Sequence, residues 1–433
     1  MYNNIKLRSF LLSSVSLLLL LILVSSTASA ASPTVTKTRI TTHETAKNSD
    51  IYGNTIIWQD YRNGNWDIYI FDITTKKETH TTNKSNQINP AIYANRVVWE
   101  DYRNGNADIY LQDISTNKQT RIITNTLDQY SPAIYGDKIV WVDGRNGGKL
   151  DEYGNPVCDE NGKIIGKLDI FMYDITTHKE TQITTSGTAY KPAIYGNRVV
   201  WADYRNVNTD IFMYDLDTHK ETQVSTSGCA DYPAIHGNRI VWQDYSFGYS
   251  PSGIYMYDLS SHKGTWLPAE FAHKPDIYGD RIVYEDNRYD MTGNTDIYVY
   301  DLSTNKETMI TFEDLKDLEN NPYQVDPAIF GDRIVYTYRS MQGDIYMATL
   351  SYPSVPAFTA SPISGKAPLT VKFTDKSTNN PTSWFWNFGD KTTSTTMNPA
   401  HKYTKAGKYT VSLTVKNAAG SNTVKKTNFI TVK

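Results

Sequence analysis

The sequence predicts an all-β protein: a seven-bladed β-propeller of four-stranded blades, with an N-terminal strand closing the last blade, followed by a β-sandwich. Three observations predict this. The text at 192–226, PAIYGNRVVWADYRNVNTDIFMYDLDTHKETQVST, is written out again and again. Aligned on the aromatic residue before its first turn, it recurs at Tyr52, Tyr93, Tyr135, Tyr195, His236, Tyr278 and Phe330, at intervals of 41, 42, 60, 41, 42 and 52 residues. A base period of about 40 residues belongs to repeats whose unit is a four-stranded blade. The last copy lacks its fourth-strand text, and residues 37–42, KTRITT, ahead of the first copy match the fourth-strand text KETQITT. Pairing of that segment with the seventh blade leaves no long unpaired edge.

Within a copy, PAIY is the first strand and a Gly-Asn, Gly-Asp or Ala-Asn pair is a hairpin turn. RVVWADY is the second strand. Its consecutive Val199, Val200 and Trp201 break strict alternation, as expected where neighbours cover both faces of a sheet. DIFMYDL is the third strand, Asp217-Thr218-His219-Lys220 a polar turn, and ETQVS the fourth. In such a meander the loops after the second and fourth strands open on one face, and the remaining tight turns open on the other.

Residues 1–30 read as a signal peptide: Lys6 and Arg8, an apolar run from Phe10 to Val24, then Ala28-Ser29-Ala30 as an A-x-A cleavage site. The alternative is an uncleaved anchor, for which the run is short. Residues 31–350 form the propeller. Its largest insertion, Lys149–Lys167 in blade three, predicts an extra hairpin around residues 159–163. Blades five and six carry altered loops at 246–253 and 287–294, and a longer acidic loop, Glu313–Asp326, leads into blade seven. Ser351–Pro356 is a Pro-containing linker, semi-rigid in character. Residues 357–433 change pattern to short alternating strands around 370–373, 409–415 and 429–432, which predicts a β-sandwich.

The formal net charge of −3 gives no reason to expect a nucleic-acid partner. The 32 Tyr against 13 Phe suit short strands whose rings pack while their hydroxyls reach water. Every major insertion falls on the same face as Cys158, Cys229 and the sequon at Asn83. That face is the candidate interaction surface, with Tyr61, Arg62, Tyr102, Arg103, Arg145, Tyr204, Arg205, Tyr245 and Arg288 as candidate ligand residues. The competing expectation is that each Arg pairs with an Asp of its own or the next blade. A disulfide between Cys158 and Cys229, glycosylation at Asn83, and calcium held by Asp60, Asn63, Asn65 and Asp67 are further candidates; the alternative for those Asp residues is capping of turn amides. His178, His219 and His262 occupy equivalent turns around a rim and cannot share one metal. His236 takes the anchor position and is expected to pack. Neither a nucleophile elbow nor a phosphate loop is present.

The run Pro90–Ile114, PAIYANRVVWEDYRNGNADIYLQDI, resembles the TolB-type propeller repeat. Ser383–Asp390 (SWFWNFGD), Asn398–Tyr403 (NPAHKY) and Gly407–Asn417 (GKYTVSLTVKN) resemble the PKD domain, an immunoglobulin-like sandwich, with Lys391 where that family usually has Gly. A signal peptide, a TolB-like propeller and a PKD domain together are similar in layout to surface proteins of archaeal methanogens. That resemblance implies an extracellular, non-enzymatic binding or adhesion protein. Its propeller face would be a platform for an envelope protein or polysaccharide, and its PKD domain a spacer or envelope contact, with no cofactor. The alternative is a propeller polysaccharide lyase or glycosidase.

Overall fold

Each copy forms an antiparallel meander because its second strand is too apolar to face water on either side. In blade four the strands are Ala189–Tyr195, Arg198–Asp203, Asp210–Asp215 and Lys220–Gln223. The computed structural model describes residues 32–433 except 161, 206–207, 246–251, 289–294, 312–322 and 340–342, so the expected signal peptide and most of the altered loops of blades five to seven lie outside the described residues. Seven four-stranded sheets of this kind are present, as predicted. No helix among the described residues is long and apolar enough to cross a membrane.

Second-strand Trp58, Trp99, Trp141, Trp201 and Trp242 are fully or almost fully buried, and each indole donates to the Asp two residues on, as Trp201 does to Asp203 at 3.0 Å. The Gly-Asn turns place their first residue in the left-handed region, at +60° for Gly196, as a two-residue hairpin of this twist requires. At the inner edge the seven anchor aromatics form a continuous circle. Adjacent ring centroids lie 4.5–4.8 Å apart, including Tyr52 against Phe330. Their planes differ by 47–54°, which matches the rotation of about 51° between neighbours in a sevenfold disc.

The disc closes as expected. Thr34–Arg39 pairs antiparallel with Gly343–Ser351, from Thr34 opposite Ser351 to Arg39 opposite Tyr346. The mimicry extends to side chains. In blade three, Thr184 Oγ1 accepts from Ile170 N at 2.9 Å and donates to Asp169 at 2.9 Å; in blade seven, Thr41 accepts from Ile345 N at 3.0 Å and donates to Asp344 at 2.6 Å. A second closure lies on the tight-turn face, where Arg333 donates to the carbonyl of Gly53 in blade one at 2.9 Å. Arg96, Arg198, Arg239 and Arg281 make the same reach to the next blade.

Every first strand also carries a β-bulge, which the repeat text alone did not indicate. The bulged residues Asn48, Asn89, Ser131, Lys191, Tyr232, Lys274 and Asp326 all have left-handed backbones, with φ of 43–54°. A bulge re-aims its side chain, and here it does so seven times at one level of the disc.

The C-terminal sandwich packs a three-stranded sheet (Phe358–Ser361, Leu369–Asp375, Ala400–Tyr403) on a five-stranded one dominated by Gly407–Asn417 and Gly420–Val432. Trp386, Phe373, Phe388, Tyr403 and Leu413 fill the space between them. The buried Tyr403 hydroxyl donates to Phe388 O at 3.0 Å. Ser351 belongs to the last propeller strand, and the linker after it is tied at both ends. The Arg281 guanidinium lies 4.6 Å from the Tyr352 ring centroid, while Val355 pairs with Thr378 and Asn417 donates to Tyr352 O.

Two outcomes follow for stability. Thr41→Ala should cost about 1–3 kcal/mol by leaving Ile345 N and Asp344 short of a buried partner, and removal of residues 32–45 should cost more; denaturant melts of both variants check this. Lys391 holds φ at +76°, which a side chain disfavours, so Lys391→Gly should raise the stability of the sandwich by up to about 1 kcal/mol in the same assay.

Candidate functional site

The blade-building columns recur: Trp, then Asp two residues later, then Arg two after that in blades one to four, with Ser246 for the Arg in blade five and Tyr284 for the Trp in blade six. The structure shows what this recurrence builds. Arg62, Arg103, Arg145, Arg205 and Arg288 pair with Asp60, Asp101, Asp143, Asp203 and Asp286 of their own blades at 2.5–2.7 Å, the carboxylates being fully buried. Each guanidinium also lies 3.8–4.7 Å from a third-strand ring centroid: Tyr69, Tyr110, Phe171, Phe212 or Tyr298. These arginines hold strands together, each guanidinium being engaged within its own blade. Burial works against the charge of Asp60, but hydrogen bonds from Arg62, Thr45 and Trp58 outweigh it and hold its pKa low.

The calcium set is occupied in the same way. Asn63 Nδ2 donates to Asp67 at 3.2 Å and to the Tyr69 hydroxyl, and Asn65 Nδ2 donates to Asp67 at 2.9 Å, so amide nitrogens face the carboxylate. The third Asp of the blade, Asp72, caps Thr74 N and Thr75 N. Among the described residues no group of three or more His, Cys, Asp or Glu could hold a metal ion. Cys158 and Cys229 are exposed free thiols, which corrects the expected disulfide. Cys158 is held against Ile164 within the blade-three insertion, and Cys229 against Thr209 at the entry to blade five. Asn83 is half-buried on the elaborated face, its side-chain oxygen accepting from Ser85 N. His178, His219 and His262 take left-handed turn positions, and His236 completes the anchor circle, where burial lowers its pKa.

One level of the channel breaks the pattern. At its elaborated end the seven bulged side chains are of five different kinds, and they divide the mouth into two halves. On blades one to three, Asn48 donates to Asn89 at 2.9 Å and Asn89 donates to the buried Glu100 at 2.7 Å. Glu100 also accepts from Ser131 N at 2.7 Å, and the Tyr102 hydroxyl lies 3.4 Å away. On blades four to seven, Lys191 Nζ reaches Asp231 at 2.8 Å and sits 3.4 Å from the Tyr232 ring centroid; Lys274 Nζ reaches Asp326 at 2.8 Å and Glu285 at 3.3 Å. Gln59, Glu100, Gln243 and Glu285 each accept the backbone N–H of the bulged residue in the next blade, which fixes the ring in place.

Electrostatics sharpen the asymmetry. Burial pushes Glu100 up to about 7 against its hydrogen bonds. It raises Glu285 as well, partly offset by Lys274, and lowers Lys191; for Lys274 the charges of Glu285 and Asp326 outweigh burial and raise its pKa. Deeper in the channel, Asp50 and Asp276 replace the Ala of the other five blades and flank Ala328. Each accepts two backbone N–H groups, from Ile51 and Ile92 and from Ile277 and Ile329, and burial pushes them up to about 6 and about 7.

The blade-three insertion forms its hairpin, with Asp159 N donating to Lys163 O. Rather than only protruding, its first leg leans over the mouth, where Asn155 accepts from Lys191 Nζ at 2.7 Å. Of the predicted tyrosines, Tyr102 leans on Glu100 and the exposed Tyr245 accepts from Gln243, both at the mouth. Tyr61 is exposed beside Trp66, and Tyr204 is half-buried. Among the described residues the propeller's exposed large apolar side chains, Tyr61, Leu127, Tyr153, Ile165, Tyr245 and Tyr323, all belong to the elaborated face.

With this geometry in place, comparison with known proteins divides the chain in two. Residues 353–432 match the PKD domain. The chain is thus a β-propeller followed by a PKD domain. Collagenase ColA of Bacillus cereus is 53% identical over 51 residues, which is 12% of this chain and 5% of the collagenase. Across the propeller the likeness is one of fold. An oligogalacturonate lyase solved in complex with manganese has 16% identity and a TM-score of 0.54, covering 74% of this chain and 94% of the lyase. The β-propeller domain of the Trilobed protease from Pyrococcus furiosus has 12% identity and a TM-score of 0.51, covering 71% and 94%.

The raised channel carboxyls carry a pH dependence. A folded pKa above the ordinary value near 4 gives stability that is complete below about pH 4 and is lost as pH rises through about 6–7. Melting temperature should therefore fall between about pH 4 and about pH 8. The fall should be smaller in Asp276→Ala, which carries the residue five other blades have there; thermal melts across pH check it.

Proposed function

We propose that this is an extracellular or cell-surface binding protein without catalytic activity. Its propeller offers the elaborated face, centred on the channel mouth, as a platform, and its PKD domain serves as spacer or envelope contact. The observation that carries this is the concentration of difference: the columns that build the blades repeat, and the bulged ring at the mouth does not. Binding sites need unlike groups in fixed places on a rigid support, which is what the ring provides. The exposed tyrosines around it supply rigid contact area at low entropic cost.

A second reading, a propeller polysaccharide lyase or glycosidase, is favoured by the channel carboxyls raised into the neutral range. Against it, Glu100, Asp50 and Asp276 all spend oxygens on backbone N–H groups that join one blade to the next. Incubation of the mature chain with a panel of plant, bacterial and archaeal polysaccharides should release no new reducing ends and no unsaturated sugars. Release of either would overturn the binding reading.

A further inference from the structure

Resting on the binding reading of the mouth, we infer that its ligand is a neutral saccharide unit and not an acidic one. Charge decides the second half of that statement. The arginines that would have gripped a carboxylated sugar are bound to buried Asp partners within their own blades. The mouth's two ammonium groups are matched, Lys191 by Asp231 and Lys274 by Asp326 and Glu285. Glu100 faces the other half, and Asp50 and Asp276 lie below. An anionic ligand would have to displace a carboxylate from an ammonium and would push the neighbouring, already raised carboxyls further toward their neutral forms, a cost that a neutral ligand does not meet.

Hydrogen-bonding capacity decides the first half. The ring combines primary amides (Asn48, Asn89), hydroxyls (Ser131, Tyr232) and fixed ion pairs, so both donors and acceptors stand at one level of the channel. A pyranose presents the matching set, since each hydroxyl both donates and accepts, and its C–H face packs on an aromatic ring. Hydrogen bonds to ionised groups are the stronger kind, and here the ions are already held in place by their partners. An apolar ligand would cover this polar surface without hydrogen-bonding to it, and a nucleic acid would meet too little positive charge.

Calorimetric titration of the mature chain at neutral pH tests this with three probes: neutral hexose oligosaccharides, N-acetylhexosamine oligosaccharides and oligogalacturonate. At least one neutral set should bind, and oligogalacturonate should bind at least about tenfold more weakly. Tyr232→Asn should weaken neutral-sugar binding by about tenfold or more with the melting temperature retained, and Lys191→Ser, which also strips Asp231 of its cation, should weaken it as far at a lower melting temperature. Both place in the column a residue it already carries at Asn48, Asn89 or Ser131 with the same left-handed backbone. Tighter binding of oligogalacturonate, no binding of either neutral set, or unaltered binding by both variants would overturn the inference. A captured protein partner lost on Tyr232→Asn, with no sugar bound, would sink the saccharide while leaving the platform intact; sugar products released in the titration cell would sink the platform itself.

Discussion

Every blade has a middle strand that cannot tolerate water on either face. Ile56–Trp58, Val97–Trp99 and Val199–Trp201 are wholly buried, and each sheet obtains cover only from its neighbours. A row of such sheets has two bare ends, and the arrangement that removes both is a circle. The anchor aromatics, the arginines reaching to the next turn and the strand Thr34–Arg39 all serve that one requirement, and the rigid mouth exists because it is met. The same strands keep their buried aspartates neutralised, so the loops above them are held by charge as well as by packing.

Blade number, strand order and the closing segment could all be read from the repeat, because packing between identical neighbours writes the same residues at the same spacing, and the sandwich could be read where that spacing stops. The site was harder to read for the same reason. Arg62 and Tyr61 drew attention by recurring, yet recurrence in a ring marks what each blade needs for itself. The informative column was the one before the repeated Pro, reading Asn48, Asn89, Ser131, Lys191, Tyr232, Lys274 and Asp326, where the alignment fails. Comparison of columns by their disagreement would have found it. The bulge that aims those residues inward is a backbone feature with no residue type of its own: Asn, Ser, Lys, Tyr and Asp all adopt it.

The C-terminal sandwich contributes a contrast. Its core is spread over two sheets of unlike strands, so no circle is needed, and Trp386 and the hydrogen-bonded Tyr403 lie among the side chains packed between the layers. Its departure from the usual turn residue at Lys391 leaves the fold intact and appears only as a left-handed backbone. The linker, tied by Tyr352 on one side and Val355 on the other, makes the junction a continuation of structure rather than a free tether.

The seam of the disc has a temporal side. Thr41 and Asp344, which meet there, are separated by 303 residues. The first stretch of the domain to leave a ribosome or an export pore must therefore wait, unpartnered, until almost the whole wheel has followed it. Assembly ends where translation began, and long-range joints of this kind are slow to form. Until that joint is made the newborn chain carries a naked sheet edge, which makes the interval before locking its most hazardous moment.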